Sequence, residues 1–357
     1  MISDSAAQTP LDVRLAPCRS YITERLADLH RIHTPEGIEV LEKVKVGDTD
    51  QWISIRGMNR SNPVLLMIHG GPGSPMMPTS WAFQKPWEDF FTVVQWDQRG
   101  VGKNYLDADM ERVLASLSFE RLVEDTEQIV AYLRKRLNQE KIFVLGYSYG
   151  TRLGLELAKR RPDWLYAYAG VGQFVGNAGE RRIYEQVLAL AVKSGDAVAI
   201  EELQAVSAYP DAPHNEKKHG AVVRKWARFF NGGWYGKKNL DLFWALSDWA
   251  PEYSLADAEI QERATMSTTG VLVGRSSTGI FEGVDALTYD FKVPILILQG
   301  AHDLHTPHDT ALEYFEKIHA PTKKFVTFRY SAHFPFLEEP GLFLQALTNN
   351  LLPLVGK

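Results

Sequence analysis

The chain has 357 residues, 45% of them hydrophobic and 23% charged, which is enough apolar content for a sizeable core and too much for wholesale disorder. Its 39 lysines and arginines against 44 aspartates and glutamates leave a formal charge of −5, the wrong sign for a surface that condenses onto nucleic-acid phosphates or an anionic membrane. A small-molecule or short-peptide substrate fits that balance, with no nucleic-acid or membrane partner; the composition does not fix the oligomeric state.

The first 36 residues lack the basic start and long apolar run of a secretory signal and read as a polar lead-in. Cys18 is the only cysteine, so an intrachain disulfide framework is excluded and a reducing cytoplasm is compatible. No window approaches the ~18 uninterrupted apolar residues of a membrane helix. From Gly37 to Gly57, alternation around Glu42, Val44, Val46 and Trp52 to Ile55 predicts an antiparallel hairpin turning at Gly47-Asp48. Pro63 to His69 and Phe91 to Asp97 are short β-branched apolar runs suited to strands buried on both faces.

Phe119 to Leu137 carries Leu122, Ile129, Leu133 and Leu137 at helical spacing, and Lys141 to Leu145 is another buried strand. Leu153 to Arg161 continues as a helix stopped before Pro162, and Tyr166 to Val171 supplies the next strand. This alternation argues for a mostly parallel α/β sheet. Between 174 and 287 the pattern turns helical, over Tyr184 to Val192, Ala197 to Val206, Ala221 to Phe230, Leu240 to Trp249 and Leu255 to Met266, with Trp226, Trp234, Trp244 and Trp249 packed among them. Buried strands return at Val293 to Leu298 and Lys324 to Tyr330, and Gly341 to Leu352 closes the chain as a helix. The expected organisation is a lead-in over 1–36, a core over 37–173 and 288–357, and an inserted helical cap over 174–287.

Gly146-Tyr147-Ser148-Tyr149-Gly150 is a G-x-S-x-G lying directly between a buried strand and a helix. A serine hydroxyl is a poor nucleophile. It needs a tight turn that presents it to a base and to backbone N–H groups at the developing oxyanion. His69-Gly70-Gly71-Pro72-Gly73 follows an earlier strand, where such a fold places its second oxyanion donor, so Gly71 N–H and Tyr149 N–H form the expected pair and His69 supports the loop. The acid and the histidine should follow in that order, each just after a core strand. Asp303 and His333 occupy those places, with Asp309 as reserve acid. His333 would take the Ser148 proton and Asp303 would fix its tautomer.

His302, His305 and His308, with Asp303 and Asp309, offer a competing metal reading, but a loop after a strand does not align successive ligands. Gly70 to Gly73 lacks G-x-G-x-x-G spacing and no Walker lysine is present, so neither cofactor nor metal is expected.

Taken together, HGGPG at His69 to Gly73, Asp97-Gln98-Arg99-Gly100 with Gly102, the serine elbow, and Ala332-His333 followed by Glu338-Glu339-Pro340 resemble the proline iminopeptidase family of α/β-hydrolases. The resemblance implies an α/β-hydrolase fold, a serine aminopeptidase activity releasing N-terminal proline or another small residue, and cap carboxylates that hold the substrate's free amine. It also implies that DQRG is a structural loop, in which Asp97 and Arg99 would order the oxyanion loop. The chain departs at Asn104, where the family usually has serine, and at Tyr147 and Tyr149, where many members have glycine and tryptophan. Trp249-Ala250-Pro251-Glu252 separates a tryptophan and glutamate that the family often keeps adjacent. Glu252 is therefore one candidate for the amine site, with Glu180, Glu185 and Glu282 as rivals. The same nucleophile would serve a carboxylesterase or lactonase, and a non-catalytic ligand-binding relative is the third possibility.

Overall fold

The computed structural model describes residues 16–210, 216–275 and 288–356. Eight strands, β1 Ile38–Val46, β2 Thr49–Gly57, β3 Val64–Ile68, β4 Thr92–Trp96, β5 Ile142–Tyr147, β6 Leu165–Val171, β7 Ile295–Gly300 and β8 Lys323–Phe328, form one sheet in the order 1-2-4-3-5-6-7-8. The β1–β2 hairpin turns at Gly47-Asp48 and joins β4 antiparallel; every other pairing is parallel.

Apolar residues on successive positions of a parallel strand must be covered on both sides, and the sheet obeys. Val64, Leu66 and Ile68 face one core with Leu122, Ile129 and Leu133 of the helix Phe119–Arg136, whereas Leu65 and Met67 face the other with Trp87, Phe343 and Leu347. In chain order the helices are α1 Ala16–His30, α2 Asn104–Asp107, α3 Met110–Ser116, α4 Phe119–Arg136, α5 Gly150–Arg160, α6 Asn177–Ser194, α7 Ala197–Ala205, α8 Glu216–Phe229, α9 Asp241–Ser247, α10 Leu255–Arg275, α11 His308–Lys317, α12 Pro335–Glu338 and α13 Pro340–Leu351.

The helices α6 to α10 interrupt the sheet between β6 and β7. Ile183, Val187, Leu203, Val223 and Trp226 give α6, α7 and α8 a core of their own, against which Leu304 packs from the sheet side.

Three expectations are corrected. The lead-in contains α1, whose weak apolar stripe leaves Tyr21 and Leu29 exposed; long-range bonds hold it, with Arg19 donating to the carbonyls of Asp248 (2.8 Å) and Tyr253 (3.0 Å). Helix α10 runs past Met266 to Arg275, through a Ser/Thr/Gly stretch of poor helix propensity. Tertiary bonds override that propensity: Thr265 and Thr269 hydroxyls donate to the carbonyls of Gly73 (2.8 Å) and Pro72 (2.6 Å), and Thr268 to Gly100 (3.1 Å). Among the tryptophans, Trp226 is buried in the insertion, but Trp234 packs on Phe334 in the sheet-side core and Trp244 is exposed.

Candidate active site

Strands β3, β5, β7 and β8 all end at one edge of the sheet, so the loops that follow them converge. Ser148 follows β5 with φ +52°, the left-handed conformation of a strained strand-to-helix turn. The flanking glycines are required by space. A Cβ at Gly146 would stand 2.7 Å from the Gly150 carbonyl oxygen, and one at Gly150 2.2 Å from that of Ile68. The Ser148 N–H donates to the Val171 carbonyl at 2.8 Å, which ties the turn to β6.

His333 Nε2 lies 3.0 Å from Ser148 Oγ, and His333 Nδ1 lies 2.8 Å from Asp303 Oδ2. Both the histidine and the aspartate are nearly closed to solvent. Asp303 Oδ1 accepts the N–H groups of His305 (2.7 Å) and Thr306 (2.9 Å), and Oδ2 also accepts the Thr306 hydroxyl (2.8 Å) and Gln299 Nε2 (3.1 Å). A carboxylate so surrounded by donors is fixed in orientation. Asp309 points elsewhere, to Gln186 (3.1 Å) and Arg182 (3.3 Å).

The loop carrying His333 is braced by two residues whose work the sequence did not reveal. Glu338 accepts the N–H groups on either side of the histidine, Ala332 (3.0 Å) and Phe334 (2.9 Å), while Glu339 accepts Tyr330 N–H (2.9 Å) and the Ser331 hydroxyl (2.7 Å). The Glu-Glu-Pro run five residues after His333 was the signal. Gln299 and Thr306 carried none, because a glutamine at a strand end and a threonine in a loop are common.

Across from Ser148 runs the loop after β3. A Cβ at Gly70 would sit 2.7 Å from Ser148 Cβ and 3.3 Å from its Oγ, so only a bare backbone fits there. Tyr149 stands at the N-terminus of α5, where the helix dipole favours negative charge. His69 Nε2 accepts the Gln98 N–H at 3.2 Å, which leaves the ring proton on Nδ1, 3.0 Å from the Gly70 carbonyl that accepts it. Burial pushes His69 down to about 4, so it is a neutral brace. Gln98 Nε2 adds a bond to the His69 carbonyl at 3.0 Å.

The DQRG segment braces the fold differently from what the resemblance implied. Arg99 binds Asp125 (2.8 and 2.9 Å) and Asp48 (2.7 Å), joining α4 to the hairpin turn. Asp97 accepts Lys103 N–H and the Tyr253 hydroxyl, and Asn104 donates to the Asp97 (2.6 Å) and Gln98 (3.0 Å) carbonyls. It is Gln98, between the two charges, that reaches the loop after β3.

The amine-site candidates separate. Glu180 is buried on α6, paired with Arg224 and hydrogen-bonded by the Tyr209 hydroxyl; Arg224 also donates to the His305 carbonyl at 2.8 Å, beside the acid loop. Glu185 is exposed, 3.9 Å from Arg182. Glu252 lines a separate cavity of about 180 Å³ walled by Glu39, Arg56, Lys85 and Glu88, and burial raises its carboxyl. Glu282 lies outside the described residues. The histidines of the metal reading turn to different partners: His302 packs on Tyr235, His305 on His333, and His308 Nε2 meets the Thr327 hydroxyl at 2.9 Å. Among the described residues no group of three histidine, cysteine or acidic side chains is placed to hold a metal ion, and no helix is long and apolar enough to cross a membrane.

The chain is similar to known proteins in sequence and in fold. A probable aminopeptidase, YbaC, of Bacillus subtilis (strain 168) is 28% identical over 319 residues, covering 88% of this chain and 97% of the relative. A proline iminopeptidase of Clostridioides difficile (strain 630) is 25% identical, covering 80% and 88%. The crystal structure of a proline iminopeptidase from Mycobacterium smegmatis superposes with a TM-score of 0.60 at 20% identity, over 88% of this chain and 98% of that one. The family model describing the alpha/beta hydrolase fold matches residues 63–340, from the start of β3 to the start of α13, and the chain therefore belongs to the alpha/beta hydrolase fold family.

Proposed function

We propose that the protein is a serine hydrolase that releases an N-terminal proline or another small residue from short peptides through an acyl-enzyme on Ser148. The observation that carries the hydrolytic reading is the unbroken hydrogen-bonded line from Ser148 Oγ through His333 to Asp303. Its narrowing to an aminopeptidase is supported by the relatives so named.

As Ser148 Oγ attacks the scissile carbonyl carbon, its proton passes to His333 Nε2, and the Gly71 and Tyr149 N–H groups stabilise the oxyanion. Asp303 stays ionised and steadies the imidazolium. Collapse of the tetrahedral species breaks the C–N bond, and His333 returns the proton to the departing amine. Water, deprotonated by the same imidazole, then attacks the acyl carbon, and the carboxylic acid leaves as Ser148 recovers its proton. The inserted segment 174–287 acts as the cap that admits small substrates, and among the described candidates Glu180 is the one whose partner Arg224 reaches the loop after Asp303.

The engagement of Glu180 by Arg224 and Tyr209 favours a second reading, in which no free carboxylate awaits an amine and the substrate is a small ester or lactone. A panel of prolyl and alanyl arylamides, their N-acetylated forms and simple acyl esters decides between them. The aminopeptidase reading expects turnover of the free-amine arylamides and its loss on N-acetylation; rapid ester turnover with inert arylamides selects the ester reading. In either case Ser148→Ala removes about 10⁴–10⁶ of kcat. Retained activity in that variant overturns both.

A further inference from the structure

The imidazole of His305 lies against that of His333, ring centroids 4.9 Å apart and planes 23° from parallel. Tyr147 also packs on His333, at 5.1 Å. The His305 peptide is tied at both ends: its N–H donates to Asp303 Oδ1 at 2.7 Å, and its carbonyl accepts Arg224 Nη1 at 2.8 Å. Its Nε2, next to Gly233, is closed off from solvent and has no hydrogen-bond partner among the described residues.

The triad needs what this ring supplies. During the reaction His333 must keep two bonds in one plane, to Asp303 and to Ser148, while its charge changes. A flat neighbour at stacking distance blocks rotation out of that plane, and a neutral π face attracts the imidazolium as it forms. The groups that face His305 are His333, Arg224 and Arg228; burial first, and then these charges, hold it well below the ordinary histidine range. It therefore remains neutral and does not repel a protonated His333.

We infer that His305 is a positioning residue for the base, holding His333 in the plane that joins Asp303 to Ser148 and tying the acid's loop to Arg224 on the inserted helices. The inference rests on the triad reading above. The test uses the full chain, with the rate of Ser148 labelling by a fluorophosphonate and with kcat and KM on whichever arylamide or ester is turned over. His305→Ala removes the ring; His305→Phe keeps it without its nitrogens; His305→Leu fills the space without an aromatic face if the alanine variant does not fold.

His305→Ala or His305→Leu is expected to slow labelling and kcat by about tenfold or more with KM within about twofold, while His305→Phe stays within about threefold of wild type. The acidic limb of the kcat profile is expected to be unchanged in His305→Phe, because His305 does not titrate across it. A folded alanine or leucine variant that labels as fast as wild type overturns the role. So does a phenylalanine variant no better than alanine, or a loss confined to KM. A wild type that is neither labelled nor active defeats the triad reading itself, which separates the two failures.

Discussion

Asp303 and Glu180 are both buried carboxylates, one on the sheet's loops and one on the inserted helices, and they are held in opposite ways. Asp303 takes its donors from its own loop and the strand before it, His305, Thr306 and Gln299 all lying within four residues, and the remaining bond goes to a base. Glu180 is met by Arg224 and Tyr209, 44 and 29 residues away. A carboxylate satisfied locally and offered to an imidazole suits the proposed role of orienting a base. One clamped by a distant guanidinium and a phenol ties helices together, and could meet a substrate amine only by sharing its oxygens with Arg224.

The comparison is broken most directly at the core acid. Asp303→Asn should cost about 10³–10⁴ in kcat through the wrong tautomer of His333, while the urea midpoint moves little, since the amide oxygen still accepts N–H bonds. Should kcat fall less than tenfold, Asp303 is a structural carboxylate like Glu180. At the cap acid the expected balance is reversed. Arg224→Met leaves Glu180 buried without its counter-charge and should cost about 3 kcal/mol or more in urea unfolding, part of it recovered by adding Glu180→Gln. An unchanged midpoint would mean that the pair does not hold the insertion.

The smallest effect is expected at the seam between the two regions, where the Tyr253 hydroxyl from the insertion meets Asp97 of the core. Burial pushes the Asp97 carboxyl up to about 7 from an ordinary 3.8, against the opposing pull of Tyr253 and Lys103. Between those values the folded state holds a proton that the unfolded chain has released. Stability therefore falls as pH rises through this window, by at most about 1.4 kcal/mol per pH unit, and levels off above it. Asp97→Asn should flatten that slope when urea midpoints at pH 5 and pH 8 are compared. An identical slope in both proteins would show that Asp97 is ionised in the fold.

What could be read early follows the same division. The hairpin turn at Gly47-Asp48, the apolar runs of β3 to β7 and the elbow at Ser148 are each written within a dozen residues, because buried strands need continuous apolar side chains and a strained turn needs glycines on both sides. The N-terminal α1 could not be read this way, since its anchor is one arginine reaching carbonyls more than 200 residues away. Nor could the end of α10, where three threonines trade poor helix propensity for bonds to the loops after β3 and β4.

By itself the sequence determined the fold class and the order of the elements and marked Ser148, Asp303 or Asp309, and His333 as candidates, because those depend on local periodicity and on motifs at strand ends. Only the tertiary structure decided that Asp303 rather than Asp309 meets His333, that Gln98 rather than Asp97 or Arg99 steadies the loop after β3, and that Glu180 is engaged while Glu252 lines another cavity. Those outcomes rest on which side chains distant in sequence come within hydrogen-bonding distance, and no spacing along the chain encodes that.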